Sequence, residues 1–175
     1  MITIAKIKPL WLNIALLVNT FVGAQDDQQP ALKAAFIYHF TQYIEWSNDA
    51  GSKTFNISIL GKSPITKQLV VVTKGEKVRG KEIIVQEYEN INNIEQTHIL
   101  FVPQNSPVSI EKIVSFFAGL PVLIITEKKG SAENGSHINF FVSENKLKFE
   151  INMKAANRAG LKISSILLKH AIIVA

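Results

Sequence analysis

The chain has 175 residues, of which 47% are hydrophobic and 19% charged, with a net charge of +5 and no cysteine. This composition excludes a disordered tail, a disulfide-stapled miniprotein and a collagen-like repeat, and the missing cysteine excludes thiol catalysis and thiolate zinc sites. One globular domain with a sizeable core fits this length, and a second would be cramped. The first segment in the chain reads as a secretory leader, residues 1–24. Lys6 and Lys8 form a positive head, with no acidic residue before Asp26. The apolar stretch Leu10 to Val18 is far shorter than the ~20 residues of a permanent membrane span. Val22 and Ala24 then supply the pattern that a signal peptidase accepts. Removing the leader takes two lysines from the net +5 and leaves +3, an ordinary soluble surface rather than the basic field of a nucleic-acid binder. The cluster Lys74, Lys77, Arg79 and Lys81 is interleaved with Glu76 and Glu82, as on a solvated edge. Export through a cleaved leader and no nucleic-acid partner are the expectations.

Pro30 opens a helical pattern that runs to about Trp46, with Leu32, Phe36, Phe40 and Ile44 forming an apolar face at every fourth residue. A loop at 48–52 leads to an alternating strand, Phe55 to Leu60, ended by Gly61. Ser63 and Pro64 suit a helix start, and that helix runs to about Val72. A strand over about Val78 to Glu87 buries Ile83 and Val85. Ile99–Val102 and Val122–Ile125 are short, unbroken apolar runs, the pattern of central parallel strands covered on both faces. Between them, Ile110 to Ala118 is a helix that Gly119 ends. Residues 138–142 and 147–151 alternate as a hairpin around Ser143–Lys146, and a last helix is expected from Lys154 to near Ala175. Successive strand–helix–strand passages imply right-handed crossovers. The expected fold is therefore α/β, a three-layer Rossmann-like sandwich with a mixed, mainly parallel sheet and a C-terminal β-hairpin plus helix. Residues 25–175 form a single domain in this reading.

Chemical motifs are sparse. Gly61-Lys62-Ser63 follows a strand and opens a helix, as at the end of a phosphate-binding loop, but Asn56 stands where the upstream glycine belongs. Without that glycine the backbone cannot wrap a phosphate chain. His39, His98, His137 and His170 have no partner at metal-ligand spacing and read as surface or hydrogen-bonding histidines. Lys162 lies near Ser164 and Ser165, but adjacent helix positions diverge around the axis, and no acid–base carboxylate pair stands out. No catalytic residue, metal ligand or cofactor follows from the residues, and binding or signalling is favoured over catalysis.

The stretch Lys33 to Trp46, KAAFIYHFTQYIEW, resembles the opening helix of the YfiR family, small periplasmic proteins first catalogued as a domain of unknown function. The landmarks continue through Ile57–Gly61, Val78–Lys81, His98–Val102, Pro121–Thr126 and Asn134–Phe140. They close with Phe149–Asn152 and Arg158–Leu168. His39 departs from an expected asparagine, Ser47 from a proline and Asn134 from a glycine, and the absence of cysteine rules out control through a disulfide. The resemblance implies a periplasmic inhibitor of an inner-membrane diguanylate cyclase, bound to the cyclase's sensor region. It also implies homodimers and interaction with an outer-membrane lipoprotein. Trp46 is a candidate partner anchor or, equally, a core residue. Asn152, Arg158 and Ser164 in the closing signature are candidates for a ligand or partner site. Structural duties suit two of them as well, Asn152 as a helix cap and Arg158 as the partner of an acidic neighbour. The alternative reading is a small-molecule sensor with its ligand in a cleft at the strand ends.

Overall fold

The computed structural model describes residues 28–47 and 52–174. The expected leader and most of the 48–52 loop lie outside these residues. The elements run α1 (Gln28–Tyr43), β1 (Ile44–Trp46), β2 (Thr54–Leu60), α2 (Ile65–Val72), β3 (Lys77–Val78) and β4 (Lys81–Tyr88). They continue with a 3-10 turn at Ile91–Asn93, then β5 (Ile99–Val102), α3 (Ile110–Phe116), β6 (Leu123–Thr126), β7 (Ile138–Ser143) and β8 (Lys146–Asn152). The last elements are α4 (Met153–Arg158), β9 (Leu161–Ile163), α5 (Ser165–Leu168) and β10 (Ile172–Val174).

Eight strands form one sheet in the order β3-β4-β2-β5-β6-β7-β8-β10, and the stretch from β4 to β7 is parallel throughout. Renumbered along the chain, those five strands have the doubly wound order 2-1-3-4-5. The continuous apolar runs are explained by burial on two sides. Ile99 and Phe101 join the core under α1 and α2, whereas Leu100 and Val102 join the core under α3 with Ile113 and Phe117. The result is the expected three-layer, Rossmann-like α/β sandwich. At its far side Phe36 and Phe40 of α1 pack on Phe140 and Phe149 of the β7–β8 hairpin, with ring centroids 5.3 to 6.1 Å apart. Glu144 and Asn145 turn that hairpin with φ of 54° and 58°, the left-handed pair of a type I′ turn.

Four local expectations need correction. The first helix stops at Tyr43 instead of Trp46, because residues 44–46 extend and pair antiparallel with β9, Ile44 opposite Ile163 and Trp46 opposite Leu161. Its buried stripe is Ala34, Ile37, Phe40 and Thr41, while Leu32 is 48% exposed. The expected strand over 78–87 is a hairpin, in which Arg79 and Gly80, at φ 51° and 80°, turn β3 into β4. Ile83 and Val85 are half-buried there, packed against the α1–α2 core. The single C-terminal helix is in fact four elements. Gly160, at φ 72°, terminates α4 in the left-handed conformation that glycine adopts without a Cβ penalty, and the chain then pairs with β1. Ser164 caps the short α5, and β10 ends parallel to β8.

Candidate functional site

Because the central strands are parallel, their starts share one end of the sheet and their finishes the other. Two histidines mark the starting end. At the start of β5, the His98 N–H donates to the Asn56 carbonyl at 2.9 Å, and the His98 ring Nδ1 accepts the Asn56 N–H at 3.0 Å. The ring stacks on Phe55 with centroids 4.5 Å apart. His137, just before β7, repeats the arrangement on Ile124, donating at 3.0 Å and accepting at Nδ1 at 2.9 Å. Burial pushes the His137 pKa down to about 4; hydrogen bonding with the Val122 backbone opposes that shift, and the nearby Arg158 charge adds to it. Both histidines are buried hydrogen-bonding residues, while His39 and His170 are exposed, as the sequence suggested.

The four residues singled out in the sequence lie around this end. Trp46 is buried, donates from Nε1 to the His98 carbonyl at 3.0 Å, and meets Phe55 edge-on at 5.1 Å. Asn152 is buried; its Oδ1 accepts the Ala155 N–H at 2.8 Å, capping α4, and its Nδ2 donates to the Ala132 carbonyl at 2.8 Å. Ser164 Oγ accepts the Ile166 N–H at 3.3 Å as the α5 cap, and its own N–H reaches the Tyr43 carbonyl at 2.8 Å. Arg158 is exposed, with no ion-pair partner among the described residues. Trp46 and Arg158 line two separate cavities, of about 580 and 360 Å3, that share Phe117 and Gly119. Phe116 and Leu120, 41% and 50% exposed, stand at the mouth of the larger. The corner thus combines an apolar rim with one uncommitted guanidinium, a surface suited to contact with another macromolecule.

A second cavity region lies at the finishing end, where the alternative reading of the sequence expected a ligand cleft without assigning binding residues to it. The connection from β2 to β4 steps one way across the sheet, whereas the path from β5 to β6 and β7 steps the other. The loops after β2 and β5 therefore diverge and open a cleft of about 600 Å3. Lys33 of α1, Lys62 and Ser63 after β2, Gln104 and Asn105 after β5, and Glu127 after β6 line it. Lys33 Nζ pairs with Glu127 Oε1, and Glu127 Oε2 accepts the Gln104 N–H at 3.2 Å. The available signal was position: each of these loops follows an apolar strand run directly. Among the described residues, no three His, Asp or Glu side chains are grouped to hold a metal ion, and no helix is long and apolar enough to cross a membrane.

A family model described as YfiR/HmsC-like matches residues 30–172. The chain belongs to the YfiR/HmsC-like family. The match runs from the first turn of α1 to the start of β10, so both ends of the sheet and all four singled-out residues lie inside it. At family level, YfiR/HmsC-like membership carries a regulatory role in cyclic-di-GMP signalling, exercised together with a membrane diguanylate cyclase. No curated protein matched the chain.

Proposed function

We propose that this YfiR/HmsC-like protein is a non-catalytic periplasmic regulator, exported through a cleaved leader, that holds the sensor region of an inner-membrane diguanylate cyclase in its inactive state. The observation that carries the reading is the family match over residues 30–172. Such an inhibitor works by preferring one conformation of its target, and moving a population from 1:99 to 99:1 takes ~5.5 kcal/mol of differential affinity. The strand-start corner offers a surface of the needed kind, with Phe116 and Leu120 as exposed apolar contacts and Arg158 as a charge that can fix orientation. In the same reading the working unit is a homodimer, and capture by an outer-membrane lipoprotein relieves inhibition. Deleting the gene is expected to raise cellular cyclic-di-GMP severalfold, and the wild-type chain restores the low level. A folded Phe116→Asp, Leu120→Asp double variant fails to restore it. Unchanged cyclic-di-GMP on deletion overturns the reading; restoration by the double variant moves the contact to another face.

The cleft between the ends of β2 and β5 favours a second, compatible reading as a small-molecule sensor, because it occupies the position where doubly wound sheets bind ligands. Native mass spectrometry of the protein purified without denaturation tests it through a retained small molecule.

A further inference from the structure

The strand-end cleft has a charge pattern that narrows what it takes. Two lysines and one carboxylate face it from three separate elements, and the amide side chains of Gln29, Gln104 and Asn105 complete the wall. Lys33 is neutralised by Glu127, at 16% side-chain exposure on both sides of the pair. Lys62 has no side-chain partner among the described residues. The lining therefore keeps one uncompensated positive charge.

Glu127 also shows how the wall handles an anion, one carboxylate oxygen resting on a lysine ammonium and the other on the Gln104 main-chain N–H. The start of α2 does not supply the donors. Ser63 Oγ and the Ser63 carbonyl take the N–H groups of Ile65 and Thr66, and Glu87 takes that of Ser63. The remaining donors that line the cleft are the lysine and amide side chains.

We propose that the cleft at the β2/β5 switch point binds a small dianion, a dicarboxylate or a phosphate, with Lys62 taking one charge. The second charge competes with Glu127 for Lys33, and the amides of Gln104 and Asn105 donate to the remaining oxygens. The volume of about 600 Å3 falls within the range of small-molecule sites. Displacing Glu127 from Lys33 also unties α1 from the loops after β5 and β6, which gives occupancy a structural readout. This deepens the sensor reading and rests on it only for its regulatory meaning.

The test is a 15N NMR titration of the purified protein with succinate and, separately, with inorganic phosphate, using sodium chloride at matched ionic strength as the control. Saturable shifts at the amides of Lys62, Ser63, Gln104, Asn105 and Glu127 are expected. Lys62→Gln is expected to weaken binding at least tenfold with the rest of the spectrum unchanged. Glu127→Gln, which removes the competing carboxylate, tightens it severalfold. Saturation by succinate alone supports a carboxylate ligand, by phosphate alone a phosphate, and by both the shared dianion chemistry. No saturable shift with either, shifts reproduced by chloride, or equal affinity in Lys62→Gln overturns the site. Cellular cyclic-di-GMP after gene deletion is a separate readout, so failure of the regulatory reading is distinguishable from failure of this one.

Discussion

His137 grips both main-chain groups of Ile124: its N–H donates to the Ile124 carbonyl at 3.0 Å and its ring Nδ1 accepts the Ile124 N–H at 2.9 Å. A ring nitrogen that accepts cannot carry a proton, so this pairing exists only while the imidazole is neutral. Protonation would set an N–H against an N–H in a buried site next to Arg158.

Acid sensitivity follows from that pairing. The folded pKa, about 4, lies below the ordinary 6.5, so the unfolded chain binds the proton first as pH falls. The stabilisation is complete above pH 6.5 and disappears as pH falls towards 4, and the loss is about 2 kcal/mol between pH 7 and pH 5. Urea unfolding at a series of pH values measures it. His137→Asn, which keeps an acceptor but cannot titrate, is expected to lower stability at pH 7 and to flatten the slope between pH 7 and 5. An unaltered slope in that variant would assign the acid sensitivity to other groups.

Asn152 uses both ends of one amide, the oxygen on the α4 cap and the nitrogen on the Ala132 carbonyl. Asn152→Ala strands a buried acceptor and an uncapped N–H and should cost about 2–3 kcal/mol. Asn152→Asp keeps the cap but faces Ala132 with an acceptor, and its denaturation midpoint should fall between the other two. Loss of activity in a variant with wild-type stability would instead give Asn152 a binding role.

For Trp46, substitution separates packing from hydrogen bonding. Trp46→Phe keeps a ring against Phe55 and removes the donor to His98, a loss of about 1–2 kcal/mol. Trp46→Ala opens a cavity in the buried core and should cost about 3–5 kcal/mol. If instead both variants unfold at the wild-type denaturant concentration, Trp46 is not a core element.

Gly135 provides a backbone test. It sits at φ 106°, and a Cβ there would come within 3.3 Å of the Val114 side chain on α3. Gly135→Ala combines left-handed strain with a close contact and should cost more than the ~1 kcal/mol of Gly119→Ala, where φ is 79° and nothing is within 4 Å. Thermal unfolding of the two variants side by side ranks them.

The parallel core could be read from sequence because burial on both faces leaves a local trace, the unbroken runs Ile99–Val102 and Val122–Ile125. The hairpin at 138–152 was equally legible, since one-sided burial alternates. The β1–β9 ribbon was not. Ile44 extends the four-residue spacing of Leu32, Phe36 and Phe40, and nothing nearby in sequence reports a partner at Ile163. The region after Asn152 carries enough apolar residues for one amphipathic helix, yet Gly160 after Ala159 was a usable stop signal, and Ser164 was a second cap. Of the sites, the strand-start corner was reached only through the resemblance. A ligand cleft at the strand ends was anticipated, but not its residues, because Lys33, Lys62, Gln104 and Glu127 converge through topology alone.

That ribbon joins a strand directly after the first helix to one formed near the end of the described chain. Contacts so distant along the polymer are slow to close, since their loop entropy must be overcome before any pairing rewards it. As synthesis proceeds, Ile44 and Trp46 therefore stay without their strand partner until Leu161–Ile163 have emerged, which makes this closure a late event in folding and the vulnerable moment for misassembly.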